Sequence, residues 1–213
     1  PRVVPHDAQE KARAHHRAYP EAESDFLALL GIWIDYKVQV EALSRRQLRR
    51  WCEDHFLSPT RMREWDDLHR QLHKVMRERG HVVNEQAATR DQIHKALLSG
   101  LLGNIARRDE RGFYRGTRDR IFAIWPASRL ARTKARWIMA AELTETTRLF
   151  ARHVSKIEPS KITFASSNGN ICVCSNFSAA ANIVCCYGLF EQARLYSSTR
   201  RQKRLASAQV KVP

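Results

Sequence analysis

Apolar residues recur every three or four positions through the first hundred residues, and every second position over the next fifty. That change of period predicts helices followed by strands. The sharpest helical pattern lies between Leu43 and Met76, where two amphipathic segments meet at a Ser-Pro break. Leu43, Leu48, Trp51 and Cys52 mark the first stripe, and Met62, Trp65, Leu68, Leu72 and Val75 the second. Ser44 and Ser58 stand where caps are needed, and Pro59 suits a first helical turn. Gly80 is placed to end the long helix in a left-handed conformation. Upstream, Ser24-Asp25 opens a central helix with a wide apolar stripe that includes Leu30, Trp33, Ile34 and Val38. A polar helix is expected over 7–19, capped by Asp7, with His15 and His16 on its solvated side. After a loop over 81–89, residues 90–108 return to helical period through Ile93, Leu97, Leu98, Leu101, Leu102 and Ile105.

Beyond Arg108 the period is 2. Residues 111–117, following a DERG turn, predict one strand, and 120–125, 136–145 and 146–157 predict three more. Four or five short strands with basic connections suit a small β-barrel, and 171–177 is available as a fifth strand. A stretch over NIVCCYGLF reads as a further strand. From Ser160 the patterning is otherwise lost, and the segment is read as irregular and basic, either aberrant or disordered. The fold class expected is therefore α+β, a helical bundle and then a barrel. Its boundaries are 1–23 for a leading segment, 24–100 for the bundle, 101–159 for the barrel and 160–213 for the tail.

Charge changes this picture. Residues 24–100 hold 13 basic and 11 acidic groups, whereas 101–158 hold 13 and 6, and 159–213 hold 7 and 1. The net charge of +15 thus sits in the second half of the chain. Of the 13 basic residues in 101–158, 11 are arginine, whose planar fork matches phosphate oxygens two at a time. A basic barrel beside a nearly neutral scaffold points to a polyanionic partner.

The chemistry of catalysis is missing. No G-x-x-x-x-G-K-[ST] phosphate loop occurs, and His69 and His73, one helical turn apart, lack a glutamate base or third ligand between them. Asp66 and Asp67 point to different faces of their helix. Cys52 reads as a buried apolar residue, and Cys172, Cys174, Cys185 and Cys186 lack the usual zinc-ligand spacing. No apolar run reaches 18 residues, so no membrane span is expected, and the absence of a secretory signal suggests a reducing, cytoplasmic setting. Pro1 at the first position suggests a fragment. What remains is a binding surface. Arg115, Arg118, Arg120, Arg129, Arg132 and Lys134 are the expected phosphate contacts, within a wider set that includes Arg148 and Arg152. Among the interleaved aromatics, Tyr114 is the expected base-stacking residue, while Phe122, Trp125 and Trp137 are assigned to the barrel interior and Trp33, Trp51, Trp65 and Leu68 to helix packing.

The stretches ESDFLALLGIWIDY, RRWCEDHFLSPTRMREWDDLHRQL and IHKALLSGLLGNIARR resemble the C-terminal accessory region of DEAH-box RNA helicases, most closely the bacterial HrpA type. RIFAIWPASRL and ARWIMAAELTETTRLFARHVSKIEP resemble strands of that family's OB-fold. The resemblance covers residues 1–159 and implies a ratchet-like bundle followed by an OB-fold. It implies that 1–23 leaves an upstream winged-helix domain absent from this chain. It further implies a non-catalytic role: holding single-stranded RNA and coupling it to upstream motor domains, which bind the family's ATP and Mg. No cofactor is expected in this chain. From Ser160 the sequence departs from the family, which motivates the reading of the tail as frameshifted. A stand-alone nucleic-acid-binding module and a protein-interaction adaptor are the alternative readings.

Overall fold

The computed structural model of this protein describes residues 3–5, 7–17, 23–82 and 86–158. Five helices precede five strands. The helices are α1 (Gln9–His16), α2 (Asp25–Ala42), α3 (Arg45–Asp54), α4 (Pro59–Glu78) and α5 (Arg90–Gly100). The strands are β1 (Ile105–Arg108), β2 (Tyr114–Gly116), β3 (Ile121–Ile124), β4 (Trp137–Glu145) and β5 (Leu149–Lys156). This is the α+β class read from the sequence. Strands expected over 171–177 and NIVCCYGLF, and the four clustered cysteines, lie outside the described residues. Two compact units are present. One holds the described residues up to 17 and those in Leu30–Ala88, and the other those in Pro20–Leu29 and from Thr89 onward.

In the first unit, local chemistry fixes the helix ends. Ser44 and Gln47 form a reciprocal capping box on α3, and the Ser58 hydroxyl accepts the Arg61 N–H at the start of α4 with Pro59 as its first residue. Gly80, at φ 78°, closes α4 while His81 N–H donates to the Met76 carbonyl. At α1 the expected cap is corrected: Ala8 holds the N-cap position, and no side chain caps it. Cys52 is 1% exposed, and burial pushes its thiol pKa up to about 11, in keeping with a packing role.

The buried stripe of α4 is rotated from the one the sequence suggests. Met62, Trp65 and Met76 are buried, while Leu68, expected to pack, is 48% exposed and Val75 is exposed beside it. The reason is His69. Its ring lies 5.3 Å from Trp33, which in turn lies 4.9 Å from Trp65. Desolvation, with the nearby Lys37 ammonium, lowers the His69 pKa to about 4. A neutral imidazole takes the place an aliphatic side chain would have held, and the stripe runs 62-65-69-76. Lys37 is tied by its ammonium to Asp66, 2.9 Å away.

In the second unit the strands close into a barrel in the order β1-β2-β3-β5-β4. All neighbours are antiparallel except β3 and β5. Its interior is filled by small and medium residues, among them Ala106, Leu130, Ile138, Ala140 and Val154, with Tyr114 and Phe122. Gly116 permits the closure, because a Cβ there would meet Phe122 Cε1 at 2.9 Å. The fifth strand is β1, which corrects the helix expected over 90–108. The helix stops at Gly100, a short 3-10 turn follows, and Ile105–Arg108 pairs with β2 on one side and β4 on the other. The apolar spacing 93-97-98-101-102-105 continues past the true helix end, so periodicity alone could not find the boundary.

The start of α2 is stitched to the barrel at two points. Ser24 bridges to Ser155 in antiparallel fashion, and the His94 ring of α5 lies within hydrogen-bond reach of both hydroxyls, at 2.9 and 3.1 Å. All three residues are buried. One residue on, the Asp25 carboxylate accepts three hydrogen bonds, from Ser128 Oγ at 2.6 Å, the Arg129 N–H at 3.0 Å and the Val154 N–H at 2.9 Å. No helix among the described residues is long and apolar enough to cross a membrane.

Two stability predictions follow from these contacts. Because the unfolded chain takes up a proton at His69 near pH 6.5 and the folded chain resists until about pH 4, stability is unaffected above the first value and falls between them. Urea unfolding should show the unmodified chain losing up to about 3 kcal/mol more than His69→Gln on going from pH 7 to pH 4.5. Asp25→Ala, which strands three donors, should destabilise the barrel by about 2–4 kcal/mol in the same assay, and Asp25→Asn by less.

Candidate nucleic-acid interface

The barrel's strand directions decide where its cations lie. β2 and β3 are antiparallel and joined through residues 117–120, so Arg118 and Arg120 sit at the end of the barrel where β3 begins. Arg129, Arg132 and Lys134 lie in the connection that leaves the other end of β3. A four-residue strand rises about 10 Å, and the expected phosphate contacts therefore form two groups rather than one patch.

In the first group, Arg115 projects outward from β2, with its guanidinium 3.3 Å from Asp119. Arg118 and Asp119 adopt left-handed backbone conformations, at φ 56° and 55°, in a tight exposed turn. Thr117 Oγ1 and Arg120 Nη2 both donate to the Gly103 carbonyl, at 2.7 and 3.4 Å, which anchors the turn to the segment before β1.

In the second group, Ser128 caps a 3-10 helix over Arg129–Arg132 by accepting the Leu130 N–H, and Leu130 drops into the barrel core. Arg129 is half-buried, and Arg132 and Lys134 are exposed. Lys134 lines a shallow cavity of about 260 Å³ together with Glu23, Thr133, Arg136 and Lys156. The Glu23 carboxylate, hydrogen-bonded to Lys156 at 3.0 Å, raises the lysine's pKa and keeps it charged. Three cations against one carboxylate leave the cavity suited to an anion. Among the described residues, no group of three or more His, Cys, Asp or Glu could hold a metal ion.

Tyr114 is not where the sequence reading put it. Its ring is 3% exposed in the barrel core, its hydroxyl donates to the Ala135 carbonyl at 2.9 Å, and burial raises its pKa. No ring face is open to a base. On β2 the inward position falls on Tyr114 and the outward one on Arg115, opposite Phe122 and Ile121 respectively. The same alternation corrects Trp125. Phe122 is buried and Ile124 packs against the core, so Ile121, Ala123 and then Trp125 share the outer side, with Trp125 half-buried. The apolar run IFAIW hid this, because a continuous hydrophobic run carries no period. Trp137 is also only half-buried.

A closed five-stranded barrel in this order, entered from a helix and carrying cations on its loops, defines an oligonucleotide- or oligosaccharide-binding fold. The family described as "Oligonucleotide/oligosaccharide-binding (OB)-fold" matches residues 93–168. Over 160 residues, or 75% of the chain, the sequence is 41% identical to the ATP-dependent RNA helicase HrpA homolog of Haemophilus influenzae, and equally to the ATP-dependent RNA helicase HrpA of Escherichia coli. It is 28% identical over 157 residues to the pre-mRNA-splicing factor ATP-dependent RNA helicase prp22 of Schizosaccharomyces pombe. The sequence is thus similar to a C-terminal, OB-fold-bearing region of HrpA-type DEAH-box RNA helicases. It spans 12% of the length of each of the two HrpA relatives.

Removing the Tyr114 hydroxyl tests its assignment to the core. Tyr114→Phe leaves the Ala135 carbonyl without its partner and should cost about 1 kcal/mol in urea unfolding. Its affinity for single-stranded RNA should equal that of the unmodified chain, and the cost in unfolding marks the hydroxyl as a core contact, since a hydroxyl open to solvent would cost nothing measurable.

Proposed function

We propose that this chain is a non-catalytic part of an ATP-dependent RNA helicase, which binds single-stranded RNA and couples it to a RecA-like motor formed elsewhere in the polypeptide. The observation that carries the reading is the 41% identity to helicases of the HrpA type, laid over a barrel of OB topology. The chain's own contribution is to hold the RNA backbone. Arg118 and Arg120 at one end of the barrel, and Arg129, Arg132 and Lys134 at the other, supply the phosphate contacts. ATP and Mg belong to the motor, and 1–213 contains no phosphate-loop motif of its own. The setting is cytoplasmic, where a free thiol such as Cys52 stays reduced.

The charge distribution supports a polyanion over a generic acidic surface, since arginine dominates and its fork matches phosphate. A salt series with labelled single-stranded RNA tests this. The slope of log K against log salt should be about −0.7 for each phosphate contact. Arg118→Ala with Arg120→Ala, and separately Arg132→Ala with Lys134→Ala, should each flatten the slope by about 1.4 and weaken binding at low salt. A chain that binds no RNA at low salt, but is retained by an acidic protein surface, would instead be an adaptor. RNA binding by a chain that gives no change in a motor's RNA-stimulated ATP turnover would make it a stand-alone binding module.

A further inference from the structure

The outer side of β5 carries Arg148 just before the strand, then Phe150 and Arg152 at alternate positions, and Trp125 stands beside them at the end of β3. The pairing is direct: Ala123 lies opposite Phe150, Ile124 opposite Ala151, and the Trp125 N–H donates to the Ala151 carbonyl at 2.9 Å. The side chains interleave. Arg152 Cζ lies 4.0 Å from the centre of the Trp125 ring, the Trp125 and Phe150 rings meet edge to face at 5.2 Å, and Arg148 Cζ lies 5.1 Å from Phe150. Cation, indole, phenyl and cation thus form a continuous row along the β3–β5 seam.

The chemistry of Arg152 is unusual for an arginine held this firmly. No carboxylate lies within salt-bridge range of it among the described residues, although Glu142 is its cross-strand neighbour on β4. Its Nε is buried with no hydrogen-bond partner among the described residues. The guanidinium is therefore placed by the indole rather than by an ion pair, and its terminal N–H donors are uncommitted. Trp125, half-buried, is not sealed in the barrel interior. Arg152 covers one face of the Trp125 ring and Phe150 is buried, so a receptor for one nucleotide here would take a flat base on the indole face opposite Arg152 and a phosphate on the guanidinium's N–H edge.

We infer that the row Arg148, Phe150, Trp125 and Arg152 is a nucleotide-binding step on the barrel wall. Trp125 stacks an unpaired base of the RNA, and Arg152 and Arg148 contact the phosphates that flank it. The inference rests on the RNA-binding reading above and deepens it. It places the base contact on the β3–β5 seam, apart from the loop cations at either end of the barrel and away from Tyr114.

Titration of the full chain with single-stranded RNA, read both by the affinity for a labelled strand and by tryptophan emission, tests it. In the unmodified chain, stacking on Trp125 should quench part of the tryptophan signal. Trp125→Phe keeps the apolar contact and should abolish most of that quench. Trp125→Ala should weaken binding about 5- to 100-fold while leaving the salt slope unchanged, since no phosphate contact is lost. Arg152→Ala should flatten the slope by about 0.7, and Arg152→Lys, which keeps the charge but not the plane, should restore the slope without restoring full affinity. Binding by the unmodified chain that keeps its full quench in Trp125→Phe, or its full affinity in Trp125→Ala, would overturn the inference and leave the RNA-binding reading intact. No binding by the unmodified chain would overturn both.

Discussion

The barrel depends on one carboxylate. Asp25 is the first residue of α2, yet all three of its described hydrogen-bond donors come from far along the chain: Ser128 and Arg129 after β3, and Val154 late in β5. A barrel this small has a weak point where β3 ends, because among the described residues β5 continues past it with no further strand on that side, only the bridge from Ser155 to Ser24. The ladder's last bond there is the Trp125 N–H to the Ala151 carbonyl. Beyond it, the Val154 N–H would be an orphan donor, and His153, at φ 50°, marks where the strand is distorted. Asp25 fills the gap by accepting that donor and, at the same time, fixing the turn that leads into Leu130. Ionised oxygens suit this work, since hydrogen bonds to a charged acceptor are about twice as strong as neutral ones. The neighbouring Ser24–His94–Ser155 cluster adds a second attachment at the same end of α2.

This arrangement has consequences for any ligand. The connection carrying Arg129, Arg132 and Lys134 is not a free loop: it is anchored by Asp25 at its start, by the Ser128 cap, and by Leu130 in the core. The turn carrying Arg118 and Arg120 is likewise anchored through Gly103. Cations held on anchored turns lose less entropy on meeting a phosphate than cations on flexible ones. The β3–β5 seam runs between these two ends, with Trp125 at the end from which the Arg129–Arg132 turn leaves.

How much of this could be read from residues depended on what each signal measures. Helix caps are local, and Ser44, Ser58 and Gly80 each did what their chemistry demands. The strands of 136–145 and 146–157 alternate clearly enough to be found from period alone, within a few residues of β4 and β5. β1 was illegible because IARR buries one residue, Ala106, and is held in place by two partners distant in sequence. Leu68 misled because hydropathy ranks leucine above histidine, whereas burial beside Trp33 makes His69 behave as an apolar residue. Tyr114 and Trp125 exchanged sides for a related reason. Which side of a strand faces inward is a question of register, and a three-residue strand such as YRG contains too few positions to answer it.

The two units also treat charge differently, and this bears on what the barrel is for. The helices hold many of their charges in pairs one turn apart, such as Arg49 with Glu53, Arg61 with Glu64 and Lys74 with Glu78. Such exposed pairs add little stability, but they cancel the local field. The barrel segment cannot do this for all of its charges, because residues 101–158 have 13 cations for 6 anions. Its cations repel one another, a cost that a folded domain bears without return unless something removes it. Stacking Arg152 on Trp125 shows how such a charge is accommodated without an anion: the indole face offers partial compensation while leaving the N–H edge open. A polyanion arriving at that edge would relieve the repulsion and satisfy the donors together, so the same excess that strains the isolated barrel would favour its occupied state.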